Sequence, residues 1–282
     1  MVSFKHILSI LIAINCILFY SCNQKTTEPA NEVAADNPLA DYFKSDLYDF
    51  IKKLCKADTK RIETLMSIIG YLCHRNFDCK PKAIWLTDEN AKLNKSSGRT
   101  GKSFLINYIV NNFINPPLRE DEEKLNILAV VNGKTYDPDD KSKFQNCTRH
   151  TKVIHIEDLK MSFDDIEHFY VFITGFVEVK ALYEKPIYLR EKIVFTANKP
   201  PKTNSDSSID RLFEFEIANY FKAGHGPDKE YGKLFFTDWT DDEYQQYFTF
   251  MLECTRLYLK HGLITCEPLN LEESKMNRET TF

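Results

Sequence analysis

The sequence predicts an α/β fold: a mostly parallel central sheet with helices around it, a β-hairpin inserted between strands, a helical subdomain ahead of the sheet and a helical extension after it. Three observations carry this. Four short, nearly continuous apolar runs, 82–87, 126–131, 152–157 and 192–197, have the character of strands buried on both faces. Apolar residues recurring at three and four, before the first run and again late in the chain, read as amphipathic helices. Between the third and fourth runs, "FVEVKALYEKPIYL" holds two alternating halves, the pattern of a hairpin.

Residues 1–22 stand apart from the rest. Their apolar run, 7–20, is too short to span a bilayer comfortably and suits a signal-peptide hydrophobic region. The ending "LFYSC" resembles a bacterial lipoprotein signal, which implies lipidation and membrane attachment at Cys22. Residues 23–40, rich in Thr, Pro, Ala, Asn and acidic side chains, then read as a disordered tether.

Residues 41–81 form the helical subdomain. Tyr42, Phe43, Leu47, Phe50, Ile51 and Leu54 mark one apolar stripe, and Ile62, Leu65, Met66, Ile69 and Leu72 mark a second. The sheet-forming core spans 82–220, and 221–282 is the helical extension with its tail. That extension opens on a capping box, Thr240 with Glu243, and Gly262 stops it. The stripe expected to be buried there is Tyr244, Tyr247, Phe248, Met251, Leu252 and Tyr258.

Bulk composition excludes little. A net charge of -4 and a pI near 6.0 give no overall electrostatic reason for nucleic-acid binding, so that reading needs a local patch. The eight cysteines show no paired Cys-x-x-Cys spacing and read as reduced thiols. Cys73, His74 and Cys79 lack a fourth ligand at metal-binding spacing.

The chemistry begins at "SSGRTGKSF", 96–104. A phosphate-binding loop needs Gly, any four residues, Gly-Lys and then Ser or Thr. Here Gly101, Lys102 and Ser103 fit, while Ser96 replaces the first glycine. With only nine glycines in the chain, Gly98 and Gly101 lying three residues apart stand out. The loop follows a strand and opens a helix, so backbone N–H groups from Gly98 to Ser103 can converge on an anion. The Lys102 ammonium then reaches the terminal phosphates, and the Ser103 hydroxyl holds Mg²⁺. An ordinary polar loop before a helix is the plainer alternative.

Three further candidates follow in order. "VIHIEDL" ends a strand in Glu157 and Asp158, which can hold the Mg²⁺ water shell and polarise an attacking water, unless they merely begin a turn. Asn198 ends "KIVFTAN", where an amide can orient water against a γ-phosphate or simply make a turn. Arg211 precedes an alternating apolar segment; donated across a subunit boundary, its guanidinium would stabilise charge on the transferring phosphate, and otherwise it is a surface arginine.

This order of features, together with "GYLCHRNF", "GRTGKSFLINYI", "IHIEDL", "KIVFTANKPP" and "LFFTDWTDDEYQQYFTFMLECTRLYLKHGL", resembles the superfamily 3 helicases. The likeness is to the C-terminal helicase part of primase-helicase proteins from phages, plasmids and bacterial mobile elements, over roughly residues 45–262. It implies an AAA+-like P-loop three-layer sandwich that hydrolyses ATP with Mg²⁺ and unwinds DNA during replication. By the same resemblance Gly98, Arg99, Thr100, Gly101, Lys102 and Ser103 bind nucleotide, and Ser103 and Glu157 hold the metal. Asp158 helps activate water, Asn198 is the sensor and Arg211 the arginine finger.

The resemblance further implies a homo-hexameric ring, with the hairpin projecting into its channel against single-stranded DNA. Lys180 stands where the family's DNA-contacting lysine does, and Lys185 follows it. Between 177 and 202 lie six basic residues (180, 185, 190, 192, 199, 202) against Glu178, Glu184 and Glu191, a local +3. Two departures from the family pattern are Ser96 and Asp210, which replaces a second arginine beside the finger. The primase half is missing upstream, so a separate primase is expected. The competing expectation from residues 1–22 is a membrane-attached lipoprotein, or a truncated remnant with an inactive P-loop fold, since an exported protein meets no ATP. The ATPase reading requires the cytoplasm.

Overall fold

The computed structural model describes residues 42–74, 78, 80–89, 91, 98–115, 126–160, 167–180, 185–201 and 210–269. The signal-like segment with Cys22, the tether, Cys79, Ser96, the hairpin tip 181–184 and Lys202 lie outside them. Among the described residues no helix is long and apolar enough to cross a membrane.

Two helices open the fold. In α1 (Asp46–Leu54), Ser45 Oγ accepts the Tyr48 N–H at 3.1 Å, with Asp46 and Asp49 in the first turn and Lys52 and Lys53 in the last. Those charges complement the helix dipole. In α2 (Thr59–Cys73), Asp58 accepts the Arg61 N–H at 2.8 Å. The expected stripes are buried, except that Phe43 is 50% exposed and stacks on Tyr42 at the surface.

The sheet contains β1 (Ala83–Asp88), β2 (Leu128–Asn132), β3 (Val153–Leu159), β6 (Lys192–Ala197) and β7 (Leu212–Ile217), in the order β2-β3-β6-β1-β7. Every pairing in it is parallel, with Ile84 beside Val194 on one side and Phe213 on the other. The fold is therefore α/β with a parallel central sheet, as expected. Strand β7 was not among the four expected strands, because Glu214 and Glu216 interrupt its apolar run. Glu214 is exposed, but Glu216 is buried and accepts the Leu269 N–H at 2.7 Å from the chain's last described segment.

Alternation along the strands divides the core into two layers. Ile84, Leu86, Val153, Val194, Phe213 and Phe215 pack with α1, α2 and α7 (Asp241–His261). Trp85, Ile154, Ile156, Ile193 and Phe195 face the opposite way, onto Phe144, Phe169 and the hairpin. The short helix α5 (Tyr170–Thr174) belongs to that second layer through Ile173, and the short α6 (Pro227–Tyr231) packs against the first through Tyr231. In α7 the capping box is present, with Glu243 Oε2 accepting the Thr240 N–H at 2.8 Å. Its inner stripe differs from expectation: Tyr247, Phe250, Met251 and Cys254 are buried, whereas Leu252 is half-exposed. Both sets follow the helical period; the buried face is turned by roughly 70° around the helix from the expected one.

The hairpin pairs β4 (Val177–Val179) with β5 (Ile187–Leu189), antiparallel. Lys180, Lys185 and Arg190 are exposed on it, but the expected cluster of cations loses a member. Lys192 is 4% exposed at the start of β6, where its ammonium donates to the carbonyls of Tyr71 and His74. It closes the C-terminal end of α2, so its hydrogen bonds serve the fold. Glu191 is likewise buried and takes Lys152 at 3.3 Å.

Candidate active site

Strand β1 delivers the chain to the loop at the sheet's C-terminal edge. Gly98, Arg99 and Gly101 all have left-handed backbone, with φ of 63°, 59° and 102°. At Gly101 a side chain is excluded twice, since a Cβ there would also lie 3.2 Å from the Phe50 ring and 3.3 Å from Leu54. The loop is thus pressed against α1. The helix that follows begins as α3 (Lys102–Phe104), widens into a π-helical stretch, Leu105–Val110, and ends as α4 (Asn111–Ile114). Tyr247 of α7 donates to the Ile109 carbonyl at 2.7 Å and secures this helix from behind.

Lys102 and Thr100 are buried, and both donate to Oδ1 of Asp88, the last residue of β1, itself 1% exposed. The loop lysine therefore rests on an internal carboxylate. Sequence reading missed Asp88, although the signal was the one used for Glu157: an acid at the C-terminal end of a buried strand beside the loop. Ser103 is half-buried, and Arg99 is exposed at the loop tip.

The carboxylates expected on β3 are on the same edge of the sheet. Strand β3 continues past Glu157 and bulges, its register shifting between Ile156 and Leu159, and Asp158 takes a left-handed φ of 55°. Such a bulge turns side chains out of the regular alternation. Lys134 Nζ lies 2.8 Å from Asp158 Oδ2, and that carboxylate holds the lysine's pKa above its ordinary value. Glu157 accepts a hydrogen bond from Asn107 Nδ2 at 3.1 Å. Behind both lies His155, fully buried between Asn107 and Thr196, its pKa pushed down to about 3 by burial. Asn107, His155 and Thr196 were not singled out from sequence.

Asn198 is exposed just past the end of β6, where Trp85 Nε1 donates to the Lys199 carbonyl at 3.0 Å. The loop, Glu157, Asp158 and Asn198 thus gather at the C-terminal ends of β1, β3 and β6. Arg211 does not join them. It precedes β7, so in a parallel sheet it sits at the N-terminal edge, with its guanidinium carbon 4.9 Å from the centre of the Tyr170 ring. A six-residue strand is roughly 20 Å long, which keeps Arg211 away from the loop 98–103 of its own chain.

A cleft of about 390 Å³ opens between α1 and the segments leaving β1 and β7, lined by Asp49, Lys52, Lys53, Lys56, Glu89 and Tyr220. Lys53 pairs with Asp49 and Glu230 and lies over the rings of Tyr220 and Tyr231. For a metal, Ser103 and Glu157 offer hard oxygen donors. No cluster of three or more His, Cys, Asp or Glu forms a cation cage among the described residues. That donor set fits Mg²⁺, which binds through one or two protein oxygens together with phosphates and water.

No protein-family model matches the chain, and no curated protein matches it. Among solved structures, the apo NrS-1 C terminal region aligns at 14% identity and TM-score 0.47, over 92% of this chain and 55% of that one. A second apo structure of the same region, spanning its residues 305–718, gives the same figures. JCV helicase bound to a thiazolopyridine acetamide aligns at 10% identity and TM-score 0.38, over 86% of this chain and 68% of that one. The chain thus spans about half the length of the NrS-1 region.

Proposed function

We propose that the chain is a nucleoside-triphosphate-driven motor that acts on DNA, a helicase or translocase of the superfamily 3 type. The observation that supports this best is the division of candidate residues between the two edges of the sheet. Lys102, Glu157, Asp158 and Asn198 meet at the C-terminal edge, beside β1, where the strand order reverses and α/β sheets bind their ligands. Arg211 stands at the other edge and can serve only a neighbour's site.

In this reading ATP lies along the loop, its terminal phosphates on the backbone N–H groups of 98–103. Lys102 leaves Asp88 for the phosphate. Ser103 and Glu157 would hold Mg²⁺, which when bound neutralises charge on the phosphate oxygens. Asp158 accepts a proton from the attacking water, Asn198 orients that water, and Arg211 of the adjacent subunit steadies the transition state. Six copies would close a ring, with Lys180 and Lys185 of each hairpin on the backbone of a single strand.

The test separates binding from turnover. Asp158→Asn should bind a fluorescent ATP analogue like the wild type and lose hydrolysis by about a hundredfold or more, as expected for a lost general base. Glu157→Gln should also weaken the Mg²⁺-dependent part of binding. Lys180→Ala should remove stimulation of hydrolysis by single-stranded DNA and spare the basal rate. Normal turnover in both acid variants would reduce the bulged strand end to architecture.

A further inference from the structure

Asn107, His155 and Thr196 form an unbroken hydrogen-bonded chain whose direction is set at its Glu157 end. The Glu157 carboxylate can only accept, and Asn107 Nδ2 donates to its Oε1 at 3.1 Å. Asn107 Oδ1 therefore faces His155 Nδ1 at 2.6 Å, and since an amide oxygen can only accept, Nδ1 carries the ring proton and donates it. Nε2 of the neutral ring then accepts the Thr196 hydroxyl proton at 3.1 Å. Thr196 Oγ1 in turn accepts the Asp158 backbone N–H at 3.2 Å. The chain starts at the backbone of one carboxylate residue and ends on the side chain of the other. His155 and Thr196 are both fully buried, so water does not compete for these bonds.

The three residues come from three elements. Asn107 lies in the π-helical stretch directly after the phosphate loop, His155 in β3 and Thr196 in β6, two residues before Asn198. A π-helical turn departs from regular helix geometry, and such departures concentrate at functional sites. Here the departure occurs in the stretch that brings Asn107 within reach of both Glu157 and His155.

We infer that Asn107, His155 and Thr196 are positioning residues that lock Glu157 to the phosphate-loop helix and the Asp158 bulge to β6, so that the metal-holding carboxylate moves only with the loop. This inference rests on the nucleotide-binding reading above and deepens it. It gives Asn107 an effect on the metal without any contact to nucleotide, as outer partners of metal ligands have.

The experiment titrates magnesium chloride against binding of a fluorescent ATP analogue by the full chain, with a parallel titration in EDTA. Asn107→Ala and Thr196→Val should each raise the Mg²⁺ concentration for half-maximal binding enhancement by about tenfold, the lower end for a lost outer partner. Binding in EDTA should stay within about twofold of wild type, because the loop is intact. Thr196→Ser keeps the hydroxyl and should restore the wild-type Mg²⁺ response. Wild-type Mg²⁺ dependence in folded Asn107→Ala and Thr196→Val overturns the inference. So does an equal loss of metal-free binding in both, since that marks a merely structural role. A wild-type protein that binds no nucleotide overturns the parent reading itself.

Discussion

At the scale of single residues, the contact between Lys102 and Asp88 sets the electrostatics of the site. In the proposed function this carboxylate occupies the ammonium that a phosphate needs, and it places a negative charge near the incoming anion. Asp88→Asn keeps a polar partner for Thr100 while removing both effects. It should tighten binding of the ATP analogue by about tenfold, equivalent to 1.4 kcal/mol, a modest share of a nearby charge interaction. Weaker binding in that variant would make Asp88 a support the loop requires. Gly101, Lys102, Glu157 and Asn198 were legible in the sequence because each is a chemical type at a recognisable place relative to a strand. Asp88, Asn107 and His155 were not. Their meaning lies in side chains meeting across elements, and hydrophobic periodicity does not report such meetings.

At the scale of elements, strand placement follows from apolar runs, so β1, β2, β3 and β6 were readable to within two residues at each end. Strand β7 escaped because burial of Glu216 depends on the chain segment that returns to cover it. The pairing of α2 with α7 was also hidden, although one residue governs it. A Cβ at Gly70 would lie 2.0 Å from the Cys254 carbonyl oxygen, so the two helices approach through that glycine. Gly70→Ala should force them apart and cost about 2–3 kcal/mol, as overpacking does, lowering Tm by roughly 5–10 °C. Thermal unfolding followed by circular dichroism checks this, and an unchanged Tm would mean the helices separate freely.

At the scale of the whole molecule, a buried cation makes stability depend on pH. Burial depresses the Lys192 pKa from 10.5 to about 7. Between those values the unfolded chain binds the extra proton, so stability rises with pH. The gain is absent below about pH 7 and accumulates above it. That share of the slope should approach about 1.4 kcal/mol per pH unit above pH 7. Burial raises the thiol pKa of Cys55, Cys73, Cys147 and Cys254, and their ionisation in the unfolded chain acts in the opposite direction as pH nears about 8.5. The lysine's share is therefore the difference between wild type and Lys192→Met, which should widen from about pH 7 to 8.5 when both are followed by chemical denaturation at several pH values.

The same whole-molecule view separates the two edges of the sheet, with nucleotide chemistry at one and Arg211 at the other, so activity in this account requires neighbouring subunits. The complementary test mixes Lys102→Ala with Arg211→Ala subunits, which should recover part of the hydrolysis that each lacks alone.

The central claim is that the loop around Lys102 binds nucleotide phosphates, and its most direct test is titration of a fluorescent ATP analogue with Mg²⁺ into the wild type and Lys102→Ala. Without its ammonium the loop should lose at least about a hundredfold in affinity, equivalent to roughly 2.7 kcal/mol. Equal affinity for the two proteins would contradict the account.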